Sequence, residues 1–228
     1  NQNPFYTFLN YPTQPHGYKF PYHMPDCLGA VCVSQNNSEY LQAGFPDLLL
    51  ERIYYSIDFT KFNPAEKKKQ IAYLTFKNQK DVAQVINLLM LRNNLFGYEL
   101  VPVAGTEDEV AKQFNDSAVM LNFGNIEGFG LPPAEAMLSG CVVIGYHGEA
   151  GKEFMLPAHC FPIDNGDILS FVKTIEIVVS RLHENKHAYA AMTQAARNFI
   201  QKEYSREREI KSILSAWNKF IDLAKVRL

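Results

Sequence analysis

The chain has 228 residues, 47% of them hydrophobic and 20% charged, a balance that excludes a disordered or fibrous protein. Its 22 lysines and arginines against 24 aspartates and glutamates leave a formal charge of −2, which provides no electrostatic footprint for nucleic acid or for an anionic membrane. The longest apolar run, around residues 82–91, is broken by Gln84 and Asn87 and falls short of the roughly 18 residues a membrane span needs.

Asn1 stands where a methionine would, with no signal or transit sequence, so the chain reads as a fragment, a processed product or the ordered part of something longer. Residues 1–28 form a leader dense in proline, asparagine and aromatic rings. Prolines at positions 4, 12, 15, 21 and 25 argue against a long helix or a central strand, so an irregular segment packed by its rings, or the tail of an absent domain, is expected. His16 and His23 have no nucleophile or metal partner in the sequence and read as surface histidines. Cys27, Cys32, Cys141 and Cys160 form no CxxC pair and lie mostly in apolar runs, the pattern of reduced core thiols in a cytoplasmic protein. No zinc-ligand spacing is present.

After the leader, short apolar runs alternate with helical patterns. Strands are expected at Ala30 to Val33, at 52–57, at Ile71 to Leu74, at Tyr98 to Val103, at Ala118 to Leu121, at Cys141 to Ile144 and around Cys160 to Ile163. Val82, Val85, Ile86 and Leu89 mark an amphipathic helix, a polar helix lies near 108–114, and another runs from about Pro133 to Ser139. This alternation predicts α/β architecture: a doubly wound, Rossmann-like parallel sheet over residues 29–204. The C-terminal end is helical, with stripes at Ile168, Phe171, Val172, Ile175 and Val179 and at Met192, Ala196 and Phe199. A last amphipathic helix over 205–228 carries Ile210, Ile213, Leu214, Trp217, Ile221 and Ala224, with Ser205 as its N-cap; its stripe is expected to be buried.

The segment with chemical content is Asn122-Phe-Gly-Asn-Ile-Glu127-Gly-Phe-Gly-Leu-Pro-Pro-Ala-Glu135. A strand ends, glycines 124, 128 and 130 follow, and two prolines lead into a helix. Free N–H groups and a positive helix end make an anion site, and glycine lets a phosphate approach the backbone. In open α/β sheets ligands bind beyond the carboxyl ends of strands, where this loop belongs. Glu135 is placed in the first helical turn, where a negative charge is favourable by about 0.3–1 kcal/mol. Its carboxylate can equally accept two hydrogen bonds from a ribose diol. Glu127, on the loop, has no such helix-end explanation.

Glu127-Gly-Phe-Gly-Leu-Pro followed by Glu135-Ala-Met and Gly140 resembles the donor-site signature of retaining glycosyltransferases of family four, including its Glu-x7-Glu spacing. Weaker matches fall in the same order: Tyr55-Ser-Ile-Asp58, Phe62-Asn-Pro64, Gly105 and Gly151-Lys-Glu153. The resemblance implies the donor-binding half of a GT-B fold. Its ligand would be a nucleotide-diphosphate sugar as co-substrate, bound without metal or other cofactor. The acceptor would be a glycan or another small molecule, held by an acceptor domain absent from these residues. By the same resemblance Glu135 would hold the ribose hydroxyls and Glu127 would contact the transferred sugar. The N–H groups around Gly128, Phe129, Gly130 and Leu131 would face sugar and diphosphate. Lys80 matches the family's lysine, while Phe76 stands at the arginine position with Lys77 beside it as a substitute point charge. His147, on a loop after a strand, is a further donor-side candidate. Two other readings fit the residues: a non-catalytic nucleotide-sugar or carbohydrate-binding module, and a GT-B-like enzyme such as a sugar-nucleotide epimerase or a phosphorylase.

Overall fold

The computed structural model describes residues 2–9 and 20–227; His16 and the prolines at 12 and 15 lie outside the described residues. In chain order the elements are α1 (Pro4–Leu9), β1 (Ala30–Cys32), α2 (Gln35–Gly44), β2 (Leu50–Arg52), β3 (Lys68–Leu74), α3 (Gln79–Arg92), β4 (Glu99–Val103), α4 (Glu107–Asp116) and β5 (Ser117–Phe123). They continue with α5 (Leu131–Leu138), β6 (Val142–Tyr146), β7 (Phe161–Pro162), α6 (Ile168–Glu184), α7 (Ala190–Glu203) and α8 (Arg206–Arg227). The chain divides into two units. The first takes Asn1–Ser56, Ile126–Phe129 and Glu203–Leu228, the second Ile57–Asn125 and Gly130–Lys202. Residues 29–56 thus group with the last helix rather than with the main sheet.

In the first unit, β1 and β2 pair in parallel across α2, and Ser34 caps α2 by accepting the Asn37 N–H. Around Phe45 the rings of Phe8, Phe20, Tyr22 and His23 gather within 5.0–5.7 Å. The expected packing by rings therefore holds for the described residues, although the stretch also carries the short helix α1, which begins at a proline as the first helical turn allows. The strand expected at 52–57 ends at Arg52: Ile53 N–H still donates to Cys32 O of β1 at 2.9 Å, but the N–H groups of Tyr54 and Ser56 find side chains. Tyr54 N–H donates to Ser212 Oγ at 3.1 Å and Ser56 N–H to Glu209 at 3.4 Å, both on α8. Ser205 caps α8 as expected, accepting the Arg208 N–H. The apolar stripe of α8 does not behave as expected. Ala216 and Phe220 are buried, whereas Ile210, Leu214, Trp217 and Ile221 are exposed.

The second unit is built on a parallel sheet of order β4-β3-β5-β6-β7. Its middle strand β5 is buried along nearly its whole length, as an apolar run without alternation requires of a strand covered on both faces. Ile71, Val119, Leu121 and Ile144 pack with Val85 and Leu89 of α3 and with Phe171, Ile175 and Val179 of α6. Helices α4 and α5 meet β3, β5 and β6. The expected doubly wound α/β architecture is therefore present, with the strand expected around Cys160 reduced to two residues. Cys32, Cys141 and Cys160 are buried and unpaired, and Cys27 is partly exposed.

Candidate functional site

Read by order of appearance, the five strands of the sheet run 2-1-3-4-5, so the winding reverses between β3 and β5. Right-handed crossovers then send the helix after β3 and the helix after β5 to opposite faces, and a crevice opens at the carboxyl ends of these two strands. The loop at 75–78 and the segment that starts α5 border it. Asn78 ties them together. It sits in a left-handed conformation at φ 44° as the N-cap of α3 without capping it, and its side-chain amide instead donates to Phe123 O at 3.1 Å and Gly124 O at 2.9 Å.

Helix α5 starts at Leu131, two residues before the expected position, with Gly130 as its N-cap at φ 92°, a backbone state that suits glycine. Pro132 and Pro133 fit because the first helical N–H groups have no intrahelical acceptor. They also remove two donors from the helix end, leaving the N–H groups of Gly130 and Leu131 for an anion. The earlier start moves Glu135 out of the first turn, so the helix-end reason for its charge is absent. Glu135 is partly buried, and its carboxylate has no hydrogen bond or ion pair among the described residues. Burial, reinforced by the charge of Glu107, raises its carboxyl from 4.5 to about 7. Glu176 of the same unit shows the usual solution: it is 7% exposed and held by Arg92 through hydrogen bonds of 2.7 and 2.9 Å. A partly buried acid left unpaired beside the reversal point is the kind of group that functional sites retain.

The cationic candidates lie on the other border. Lys80 is exposed at the second position of α3, where a helix dipole disfavours a cation and a bound anion would offset it. Lys77 is half-buried, its ammonium 5.5 Å from the ring centroid of Phe76, which is itself 59% exposed. The aromatic residue at the arginine position therefore carries a cation on its face.

Glu127, Gly128 and Phe129 belong to the first unit. There the close neighbour of Gly128 is protein: a Cβ would lie 1.5 Å from Gln2 O. Asn37 donates to that same carbonyl, and Asn3 to Ile126 O. The Phe129 side chain is 4% exposed, edge-on to Tyr55 at 5.6 Å and Tyr204 at 4.8 Å, so only its main chain is left to meet a ligand. Glu127 is half-buried.

After β6, His147 accepts the Glu149 N–H at Nδ1, 3.0 Å away, which leaves Nε2 as the proton-bearing donor of the neutral ring. Burial, with Lys152 nearby, holds its pKa below the usual value. Glu149 has φ 65° and ψ −61°, and Ala150 N–H closes a three-residue turn onto Gly148 O at 2.8 Å. This is the rare, strained form of the γ-turn. Neither it nor the Asn78 tie is visible in the sequence, although an asparagine just before a helix is a signal for a special backbone. Behind the crevice, Tyr146 donates its hydroxyl to Asp81 at 2.9 Å, joining the end of β6 to α3.

Among the described residues no group of three His, Cys, Asp or Glu side chains is arranged to hold a metal, and no helix is long and apolar enough to cross a membrane.

No known family profile matches the chain. Over 156 residues it is 31% identical to the alpha-1,6-glucosyltransferase of Actinobacillus pleuropneumoniae serotype 7 (strain AP76), spanning 65% of this chain and 44% of that protein. A solved structure of a glycosyltransferase from Rickettsia africae ESF-5 superposes with a TM-score of 0.69 at 13% identity, covering 90% of this chain and 69% of that one. A mutant of S. aureus TarM in complex with fondaparinux, alpha-GlcNAc-glycerol and UDP superposes with a TM-score of 0.67 at 18% identity, covering 84% of this chain and 43% of that one. The chain thus spans less than half the length of the glucosyltransferase and of TarM. Its fold, an α/β domain with a parallel sheet, is that of GT-B glycosyltransferases.

Proposed function

We propose that this chain is the donor-binding part of a retaining, metal-independent glycosyltransferase of family four that takes a uridine-diphosphate sugar. The observation that carries the reading is Glu135, a partly buried carboxylate with no hydrogen-bond or ion-pair partner among the described residues, on the helix that follows the point where the winding of the sheet reverses. A ribose diol supplies two donors to such a carboxylate and restores its charge. UDP is the nucleotide in the TarM complex, and glucose is the sugar named for the glucosyltransferase relative. An α-linked product made from an α-linked nucleotide sugar keeps its configuration, which is the reason for a retaining mechanism.

In this reading the N–H groups of Gly130 and Leu131, with Lys77 and Lys80, meet the diphosphate and stabilise the charge that develops as it leaves, an electrostatic contribution made without a metal. His147 offers Nε2–H to the donor. By the family resemblance Glu127 would contact the transferred sugar, as would the main chain at Gly128 and Phe129. The acceptor, a glycan or another small molecule, and the domain that would hold it follow from the family resemblance, and a cytoplasmic location from four cysteines that form no CxxC pair.

Calorimetric titration of the chain with UDP, GDP, ADP and their glucose or mannose conjugates, in the presence of a chelator, tests this. The expected result is selective binding of UDP and UDP-glucose that weakens at least tenfold in Glu135→Gln. Equal binding of all three nucleotides, or undiminished UDP binding by the variant, would overturn it.

A further inference from the structure

The amino ends of the same strands carry a second feature that the proposed donor site does not use. A cavity of 720 Å³ in the second unit lies against Lys68 at the start of β3, Tyr98 just before β4, Ala118 in β5 and Val142 at the start of β6. Its other wall comes from the end of α6 and the start of α7. Five lysines and arginines line it against one carboxylate, Glu184, in a chain whose overall charge is −2.

Two of these cations are committed to the protein. Lys67 donates to the carbonyls of Phe114, Asn115 and Ser139 at 2.7–3.1 Å, and Lys68 pairs with Asp116 at 2.7 Å. Three are not. Lys186 has no hydrogen bond or ion pair among the described residues. Lys69 meets only neutral acceptors, the carbonyl of Phe96 at 3.4 Å and His183 Nδ1 at 3.2 Å, which leaves His183 Nε2–H as a further donor. Arg197 gives one guanidinium nitrogen to Asn63 at 2.7 Å, while its Nε is buried without a partner. A cation near the C-terminal end of α6 is what a helix dipole favours, so Lys186 alone argues nothing. Lys69 and Arg197 come from β3 and α7, and their convergence has no such cause. The first turn of α7 adds its positive end at the cavity wall.

The remaining lining mixes Tyr98, Tyr189, Val142 and Leu182 with the polar His187, Thr193 and Gln194. Cationic donors and two tyrosine rings, Lys69 lying 5.8 Å from the ring centroid of Tyr98, in a volume within the range of small-molecule sites, suit a compact anion attached to a ring-sized body. We infer that this cavity is a second ligand site, separate from the nucleotide crevice, that takes a small phosphorylated compound such as a sugar phosphate. Its phosphate would meet Arg197, Lys186 and Lys69, and its ring the two tyrosines.

The test is calorimetric titration of the whole chain with glucose 6-phosphate, inorganic phosphate and unphosphorylated glucose. Variants Lys186→Gln, Arg197→Lys and Arg197→Gln would be compared with Glu135→Gln. Glucose 6-phosphate is expected to bind more tightly than inorganic phosphate, with no detectable binding of glucose. Its affinity should fall at least threefold in Lys186→Gln and tenfold in Arg197→Gln, with partial recovery in Arg197→Lys. Glu135→Gln should leave glucose 6-phosphate binding unchanged, and Lys186→Gln should leave UDP binding unchanged. Lys186 is exposed and unbonded, so its replacement reports on the ligand without disturbing the fold. The inference is overturned if neither phosphate binds, or if the sugar phosphate binds no tighter than inorganic phosphate. It is equally overturned if binding survives both lysine and arginine replacement, or is lost in Glu135→Gln.

Discussion

The two halves of the glycine-rich segment differ in what their residues are used for. In Ile126–Phe129 they are spent on the protein itself. Gly128 admits the main chain of Gln2, Asn3 reaches the Ile126 carbonyl, and Phe129 is enclosed by Tyr55 and Tyr204. From Gly130 onward the segment keeps groups unsatisfied: the N–H groups ahead of two prolines, and a partly buried carboxylate without a partner. One stretch of sequence with a single motif therefore contains residues spent on packing and residues left unsatisfied. The glycines that suggest phosphate binding have different physical reasons, close packing at 128 and a left-handed backbone at 130.

Substitutions in the two halves should separate them. The largest effect is expected for Phe129→Ala, which removes a ring buried between two tyrosines and should lower stability by about 3–5 kcal/mol, measured by thermal or chemical denaturation. Next comes Glu135→Gln, with the opposite sign. Glu135 titrates near 4.5 when unfolded and at about 7 when folded, so the folded protein holds a proton that the unfolded chain releases between these values. Stability therefore falls as pH rises from about 4.5 to 7, and the loss is complete above that range. Glu135→Gln should accordingly stabilise the protein by about 2–3 kcal/mol at pH 8 and by almost nothing at pH 4. Thermal melts at the two pH values check this, and equal shifts at both would refute the buried, unpaired carboxylate. Gly130→Ala forces a side chain into the left-handed region and should cost about 1–2 kcal/mol, together with weaker UDP binding. The smallest effect belongs to Glu149→Gly, which relaxes the γ-turn after β6 and should gain about 1 kcal/mol in melts.

Much of the fold was legible because local pattern and tertiary role agree. The apolar run of β5, short and without alternation, fits a doubly covered strand, and the α3 and α6 stripes are the faces that are buried. The failures have long-range causes. Residues 53–56 look like strand, but Ser212 and Glu209, more than 150 positions away, take the N–H groups of Tyr54 and Ser56. The α8 stripe follows a helical period, yet a period says only that a face is apolar, and the buried side is the one bearing Ala216 and Phe220. At the site, Glu135 stands out through the resemblance of the Glu127-to-Glu135 block to a donor-site signature. Its lack of a partner is a property of burial and of neighbours that no local pattern encodes. The same holds for the basic cavity: Lys67, Lys68 and Lys69 are adjacent in sequence, but only the fold sets Lys69 beside Lys186 and Arg197, leaving Lys67 and Lys68 to the protein.

The central claim, that Glu135 waits unpaired for a ribose, is tested most directly by counting protons on UDP binding. Calorimetric titrations near pH 7 in buffers of different ionisation enthalpy give the number released, and the difference between wild type and Glu135→Gln isolates this carboxyl from the phosphates of the ligand. With a folded pKa of about 7 the free protein holds about half a proton there. Diol hydrogen bonds that favour the carboxylate should expel it, so wild type should release about half a proton more than the variant. Identical proton exchange in the two proteins, with both binding UDP, would contradict it.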